Sequence, residues 1–525
     1  MALDAVQKQG LRQSMASLHT WVGLLPGWLL YIVFLFGTVA FFQVEISGWM
    51  RPELTRSGVS AQAIDAADAL FRARAKGAES WSLRLPDDRG GSGLDLNWKM
   101  PGEGRGQGGR ATLDPATGRE VAVRDTRGGF FLYRMHFDLH YMPVMWARYL
   151  VSVAALAMLV AILSGVITHK KIFTDFFLLR FGKGQRSWLD AHNVTGVLAL
   201  PFHLMMTYTG LVTLLFTLMP WAISANFPSV DAYYQAAFPR APEVEASGKA
   251  APVAPIAMLI AQARSAQPGF VPSYISVERP GDSTSVTQIY AASERLGRRS
   301  PPVLLDSASG APLPSRREAS GAARATQDVM VQLHRGAFSG IGLRWLYFLS
   351  GVGGTVMVAS GLILWTVKRR AKLPDPNRPH FGFRLVERLN IGFIAGAPAG
   401  IAVYFLANRL LASDLEQRGA WEVDSLFIAW GALFVWTLGR PVKRAWSEAL
   451  VLCAILYALV PLANALTTKR GLGPSLIAGD WVFAGFDLMM LTTAGLCGLA
   501  AFRVATRKAP ATPRRKARQP AGEAA

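Results

Sequence analysis

Eight apolar runs punctuate the chain, at roughly 18–43, 143–168, 190–219, 343–367, 389–411, 423–439, 446–466 and 480–502. A helix needs about 20 apolar residues to cross a bilayer, so the runs predict eight spans, the sixth being the shortest. The first run is longer than a cleaved signal core and reads as a retained anchor. Two long polar intervals, 44–139 and 220–338, interrupt the series. Each predicts an Ala-rich amphipathic helix, over 61–75 and 256–266, followed by period-two alternation typical of strands. The alternating stretches are 81–85, 94–98, 273–277 and 286–290. Each interval also contains a turn, 113–118 or 305–310, that opens with Asp and closes with Gly, the residue that takes positive φ without steric cost.

The apolar runs repeat. Run one carries His19, Gly23 and Gly37; run three carries His192, Gly196 and Gly210 with the same spacing. Run two follows Leu139-His140 and contains Arg148 and Ser164-Gly165, while run four follows Leu333-His334 and contains Arg344 and Ser360-Gly361. This alignment requires a two-residue insertion near Gly340-Ile341-Gly342. Each half is one helix, a small α+β segment and a returning helix, so the halves are parallel repeats about an axis along the membrane normal. The predicted fold class is a polytopic α-helical membrane protein, in which duplicated two-helix units form a four-helix bundle and four further helices follow.

Composition agrees with a membrane protein. Hydrophobic residues make up 51% of the 525-residue chain and charged residues 17%, with a mean hydropathy of +0.25. The formal net charge of +20 suggests nucleic acid. Its Lys and Arg cluster beside the apolar runs instead, at Lys8, Arg12, Lys170, Lys171, Lys368–Arg370, Arg440, Lys443, Arg444 and the tail Arg514, Arg515, Lys516 and Arg518. All fall on one side, which the positive-inside rule makes cytoplasmic together with both termini, leaving the long polar intervals outside. The cysteines are Cys453 and Cys497, both in apolar runs, which excludes a disulfide framework, a thiolate zinc site and a Cys-ligated iron–sulfur cluster.

Ionisable groups in spans point to function. Of the eight histidines, His19 and His192 are repeat equivalents at the cytoplasmic ends, and His140 and His334 at the outer ends. A twofold axis brings each pair face to face, the arrangement a six-coordinate b-type haem requires. No Cys-x-x-Cys-His occurs, so covalent attachment is excluded. Small-residue packing competes as a reading of the glycines, and interfacial anchoring as a reading of any single histidine. His203 lies about 16 Å beyond His192 on the same helix face and replaces Leu30 of the first half. It is a candidate deeper ligand, propionate partner or buried polar residue. His169, whose counterpart is Trp365, is a rival inner ligand. Arg148 and Arg344 are candidates for haem propionates, although snorkelling is the commoner use of such positions. His136 and His380 are expected to be solvated.

The ordered set of Leu18-His19-Thr20-Trp21-Val22-Gly23, the two Leu-His pairs, 188–196 and the two Asp…Gly hairpins resembles the PepSY-associated transmembrane family, which includes bacterial inner-membrane ferric-siderophore reductases. The resemblance covers about 10–372. It implies two non-covalent b-type haems, ligated by His19 with His192 and by His140 with His334, and PepSY-like periplasmic domains. The organisation expected is helix 1 in 1–43, PepSY-like domain 1 in 44–139, helices 2 and 3 in 140–219, PepSY-like domain 2 in 220–338, helix 4 in 339–372, a four-helix extension in 373–505 and a basic disordered cytoplasmic tail in 506–525. The function implied is electron transfer from the cytoplasmic side or from quinol to a periplasmic ferric siderophore or other ferric chelate, with an unidentified donor. No Gly-rich dinucleotide fingerprint is present. The alternative is a haemless PepSY protein that binds or regulates periplasmic peptidases; a transporter ranks third, prompted by Asp480 and Asp487. The orientation predicts that protease added to spheroplasts cuts within 44–139 or 220–338 and spares 169–187; the reverse pattern overturns it.

Overall fold

The computed structural model describes residues 10–507 apart from 55–56, 88, 90, 105–107, 170–177, 238–244, 293–295, 297–300 and 315–321. Lys8, Lys170, Lys171 and the basic tail cluster lie outside the described residues. The first apolar run is a bent pair, α1 Leu11–Leu24 and α2 Gly27–Ala40, meeting at 64°. Pro26 sits at the bend, where its missing N–H and rigid ring interrupt the helical ladder. The short α3 Gln43–Trp49 leads into the polar interval, which folds as α4 Ala61–Arg74, β1 Ser80–Arg84, β2 Leu94–Lys99 and β3 Gly109–Leu113. Then α5 Gly128–Met135 returns to the bundle and α6 Val144–Thr168 crosses it.

The second half repeats this order. A pair bent by 68°, α7 Gln185–Leu198 and α8 Leu200–Thr213, has Pro201 in the first turn of its second member. After the short α9 Leu215–Leu218, α10 Pro220–Ser224 and α11 Val230–Ala237 come α12 Ile256–Ala266, β4 Pro272–Glu278, β5 Val286–Ala291 and β6 Val303–Asp306. Then α13 Ala322–Arg335 and α14 Ile341–Arg370 complete the unit. In the bundle α1 lies along α6 and α7 along α14, while α2 also packs on α14.

Six described helices are long and apolar enough to span a bilayer, and each bent pair adds one more if counted as a span. The two halves of the polar region do not form separate sheets. β1 and β4 pair antiparallel, with Ser82 opposite Ser276, and give one six-stranded sheet of order β3-β2-β1-β4-β5-β6. Pairing removes an open edge from each three-stranded unit, which exposed strand edges favour. One sheet face is covered by α4 and α12 over a shared core that includes Phe71, Leu83, Leu96, Leu259, Ile275 and Ile289. Both Asp…Gly turns form as expected: Gly118 and Gly310 take positive φ, and the Asp114 and Asp306 carboxylates accept backbone N–H bonds.

The C-terminal extension comprises α15 Phe381–Ile394, α16 Gly396–Leu410, α17 Arg418–Leu438, α18 Val442–Thr467, α19 Leu472–Ile477 and α20 Trp481–Thr506. It is joined to the first half by a buried polar network near the sheet. Glu422 accepts from Arg418 at 2.5 Å, Asn408 at 2.7 Å and Thr126 at 2.6 Å. Arg409 lies 3.5 Å over the Trp49 ring and donates to the Trp49 carbonyl and to Asn464. Asp487 accepts from Trp49 at 3.0 Å and Asn464 at 2.9 Å, and Asp480 pairs with Arg470. The acidic residues that prompted a transporter reading are thus engaged in holding helices together. Cys453 and Cys497 are free thiols.

Arg418 and Glu422 have fully buried side chains, and removing one partner of such a pair strands the other charge at about 3–5 kcal/mol. Arg418→Leu or Glu422→Leu alone should markedly lower the melting temperature of the detergent-solubilised protein, and the double variant should regain much of the loss. Equal melting of all four proteins would show that the pair does not hold the extension.

Candidate functional site

The bundle carries four copies of one local arrangement. In each, a histidine ring from one helix rests against a glycine of a neighbouring helix and donates its Nδ1 hydrogen to the carbonyl four residues before that glycine. His19 donates to Ala161 at 2.9 Å beside Gly165, and His192 to Met357 at 2.8 Å beside Gly361. His136 donates to Val33 at 2.6 Å beside Gly37, and His334 to Met206 at 3.1 Å beside Gly210. The spacing has a simple cause. Helical side chains lean toward the N-terminus and cover the preceding turn, so a residue without a side chain uncovers the carbonyl one turn before it. A Cβ at Gly37 would lie 2.6 Å from the His136 ring, one at Gly210 2.9 Å from His334, and one at Gly165 or Gly361 3.1 Å from its histidine.

The four rings form two facing pairs. His19 and His192 have centroids 6.1 Å apart and planes at 68°; His136 and His334 are also 6.1 Å apart, with planes at 31°. A carbonyl can only accept, so each Nδ1 carries the proton and each Nε2 keeps its lone pair, the tautomer that binds a metal. Two metal–imidazole bonds of about 2 Å each, plus the reach from ring centre to nitrogen, add to a centroid separation of about 6 Å. The donor set and spacing of both pairs therefore fit a six-coordinate bis-imidazole metal. Burial, aided by His136, pushes the His334 imidazole down to about 3, and burial likewise lowers His136, so both rings are neutral at pH 7.

The first pair is the one expected from the repeat. In the second, His136 takes the place expected for His140. His140 is exposed, stacked on Phe427 at 5.8 Å and edge-on to Phe131, and does not face His334. The chain turns between the two residues: Leu139 adopts φ 42° and Tyr141 φ 67°, and the Tyr141 hydroxyl bonds Asp424 of α17. Nor is His136 solvated, since it caps the C-terminal end of α5 against α2. Sequence spacing leaves the choice open. His334 precedes Arg344 by ten residues, and His136 and His140 precede Arg148 by twelve and eight. Either alignment needs a two-residue gap, and the shared Leu-His dipeptide favours the one that the fold does not adopt. The second half is therefore two residues shorter here, not longer.

His203 is buried on α8 between the pairs, edge-on to Phe34 at 5.9 Å, with Nε2 donating to the Ser350 carbonyl at 3.3 Å. It faces no second histidine. His169 caps α6 and is hydrogen-bonded through Nε2 to Asn193, the neighbour of His192, at 3.0 Å. Arg148 and Arg344 sit at equivalent positions near the sheet and are paired with protein carboxylates: Arg148 with Asp138 at 3.1 Å, and Arg344 with Glu45 at 2.6 Å. Arg89 joins the latter at 3.3 Å. His380 caps α15 at the surface and belongs to neither pair.

Gly37→Leu and Gly361→Leu should each displace one ring, disturbing the His136 and His192 sites respectively. Imidazole NMR signals in the labelled protein would show it, and unchanged spectra for both variants would remove the glycine notch as the positioning device.

Comparison with known proteins matches most of the sequence to a family. A model described as the PepSY-associated TM region covers residues 16–368, which contain all four facing histidines. The chain is also 29% identical over 399 residues to a Pseudomonas aeruginosa protein named Uncharacterized protein PA4219, over 70% of this chain and 93% of that one. With the family model matching well over half its length, the chain belongs to the PepSY-associated transmembrane family.

Proposed function

We propose that the protein is a transmembrane b-type haem electron carrier of the bacterial inner membrane that reduces ferric chelates, siderophores included, on the periplasmic side. The sheet end is then periplasmic, both termini are cytoplasmic, and the donor is a cytoplasmic reductant or membrane quinol. The observation that supports this most directly is the fourfold glycine notch with its two facing imidazole pairs. His19 with His192, and His136 with His334, would each hold one non-covalent haem. Haem bound there would supply one-electron chemistry whose potential depends on axial ligands and their hydrogen bonds.

The chain's own residues do the positioning. The Nδ1–carbonyl bonds fix ring orientation and raise imidazole basicity. Arg344, Arg148 and Arg89 place cationic groups near the sheet-side pair, where carboxylate substituents would be met. Along α14, Tyr347 donates to Leu333 beside His334, and Gly361 cradles His192. Fourteen residues of helix rise about 21 Å, so the pairs lie closer than the full hydrocarbon thickness of about 30 Å. His203 and Phe34 occupy the space between them.

Pyridine haemochrome should count two haems per chain, all extractable by acid–acetone; a colourless protein ends this reading in favour of the haemless peptidase-binding alternative. His136→Leu should lose one haem while His140→Leu and His203→Leu keep both. Loss of a haem in His140→Leu with none lost in His136→Leu would reverse the ligand assignment. Dithionite-reduced protein mixed with a ferric chelate should reoxidise in stopped-flow spectra, and reoxidation should slow in His203→Leu if that ring lies on the path.

A further inference from the structure

Helices α18 and α20 of the extension run antiparallel, tied by Asn464 to Asp487 at the sheet end and by Lys443 to the Arg507 carbonyl at the other. Toward that second end they leave a groove of about 400 Å³ between them. Val451 of α18 lines one wall and Gly498, Phe502 and Ala505 of α20 the other, with Glu448 nearer the open end. Val451 and Phe502 are exposed, as hydrocarbon-facing side chains of a span are. Gly498 leaves room that no neighbour fills, since a Cβ there would meet only the Ala454 Cβ, at 3.9 Å.

The open end is basic. Arg444 precedes Glu448 by one turn and Val451 by two, on the same face of α18 and about 10 Å along it, and Lys443 stands beside Arg444. Glu448 is already engaged: it pairs with Arg440 at 3.4 Å and accepts from Trp436 Nε1 at 3.3 Å, while Arg440 lies 4.2 Å over the Trp436 ring. Tryptophan concentrates at the headgroup level of a bilayer, which puts this cluster at that depth and Val451 among the acyl chains. Lys443 donates to the Arg507 carbonyl at 2.8 Å, and among the described residues the exposed Arg444 meets no carboxylate. Both cations sit in the first turn of α18, which has Pro441 as its N-cap and no acidic residue there. The helix dipole disfavours cations at that end, so an anion beside them would offset a charge imbalance that the protein leaves unmatched.

We propose that this groove holds an acyl chain of an anionic phospholipid whose phosphate is met by Arg444 and Lys443. Basic pockets between membrane helices recognise lipid headgroups through this combination of charge and depth. A soluble anion would leave the apolar groove unfilled, and a zwitterionic lipid would bring its ammonium against two cations. The site is built wholly from the extension, so it does not depend on the electron-carrier reading.

Delipidated full-length protein in detergent, titrated with phosphatidylglycerol or with phosphatidylcholine of the same acyl chains, tests this by native mass spectrometry. Phosphatidylglycerol should give one tight adduct, bound roughly tenfold or more strongly than phosphatidylcholine and weakened by salt. Arg444→Gln and Lys443→Gln should each weaken it about fivefold, the loss expected for one cation at a membrane surface. Gly498→Leu has room for its Cβ beside Ala454 and fills the groove, so it should weaken both lipids while the lipid-free protein melts as the native chain does. Equal binding of the two lipids, or native phosphatidylglycerol binding in both Arg444→Gln and Gly498→Leu, overturns the proposal. So does a long-chain ubiquinone that displaces phosphatidylglycerol and binds Arg444→Gln as well as it binds the native protein, since the groove is then a quinone site. Haem content should be the same in every variant, so this test and the haemochrome count fail separately.

Discussion

An imidazole N–H inside a membrane has no water to bond to, and helix carbonyls are the acceptors at hand. In this bundle those carbonyls become reachable where a glycine leaves the preceding turn uncovered. The constraint links residues far apart in sequence: His19 to Gly165, His192 to Gly361, His136 to Gly37 and His334 to Gly210. It also explains why histidine and glycine recur together in both halves. With Nδ1 committed to the backbone, both members of each pair keep the Nε2 lone pair, and neither ring can turn away without stranding its N–H.

The rest of the fold keeps those notches in register. The bends at Pro26 and near Pro201 divide each first helix of a half into two segments. The first segment bears the His19 or His192 ring, and the second provides the glycine notch for His136 or His334. The helices α5 and α13 are short and need support from outside the spans. For α5 the support comes from the extension, since Tyr404 of α16 donates to the Gly128 carbonyl and Glu422 of α17 accepts from Thr126 and the Arg127 amide. The added helices thus brace one side of the sheet-end histidine pair, and the buried Arg409–Trp49 contact carries the brace to α3. Charged residues inside a membrane protein have here a structural use: Glu422 is met by Asn408 of α16, and Asp487 by Trp49 of α3 and Asn464 of α18.

The sheet contributes a second joining of the halves. Because β1 pairs with β4, the two polar intervals share one core and one open face. Arg84, Asp95 and Thr112 of the sheet line one cavity with Ser47, Arg51 and 124–128, the residues leading into α5, so the sheet and the His136 end of α5 belong to one end of the molecule. His203 lies on α8 between the two histidine pairs of the bundle.

Much of this was legible in the chain. Hydropathy marked the apolar runs, alternation marked four of the six strands, and the Asp…Gly turns were readable because glycine alone adopts their positive φ cheaply. The repeat also picked out the His19–His192 pair, since both residues sit at matched positions in long helices where spacing is rigid. What sequence left undecided was governed by contacts between elements. The choice between His136 and His140 depended on a turn at Leu139 and Tyr141, stabilised by Asp424 of a helix nearly three hundred residues away. The fusion of two intervals into one sheet depended on strand edges finding each other, and periodicity records a strand's faces but not its neighbour. The uses of Asp480 and Asp487 were likewise invisible until Arg470, Trp49 and Asn464 were brought beside them. Local chemistry and helical period were written in the sequence, whereas the partner of each polar group in a low-dielectric interior was decided only by the tertiary fold, because such a group persists only where a second element arrives to satisfy it.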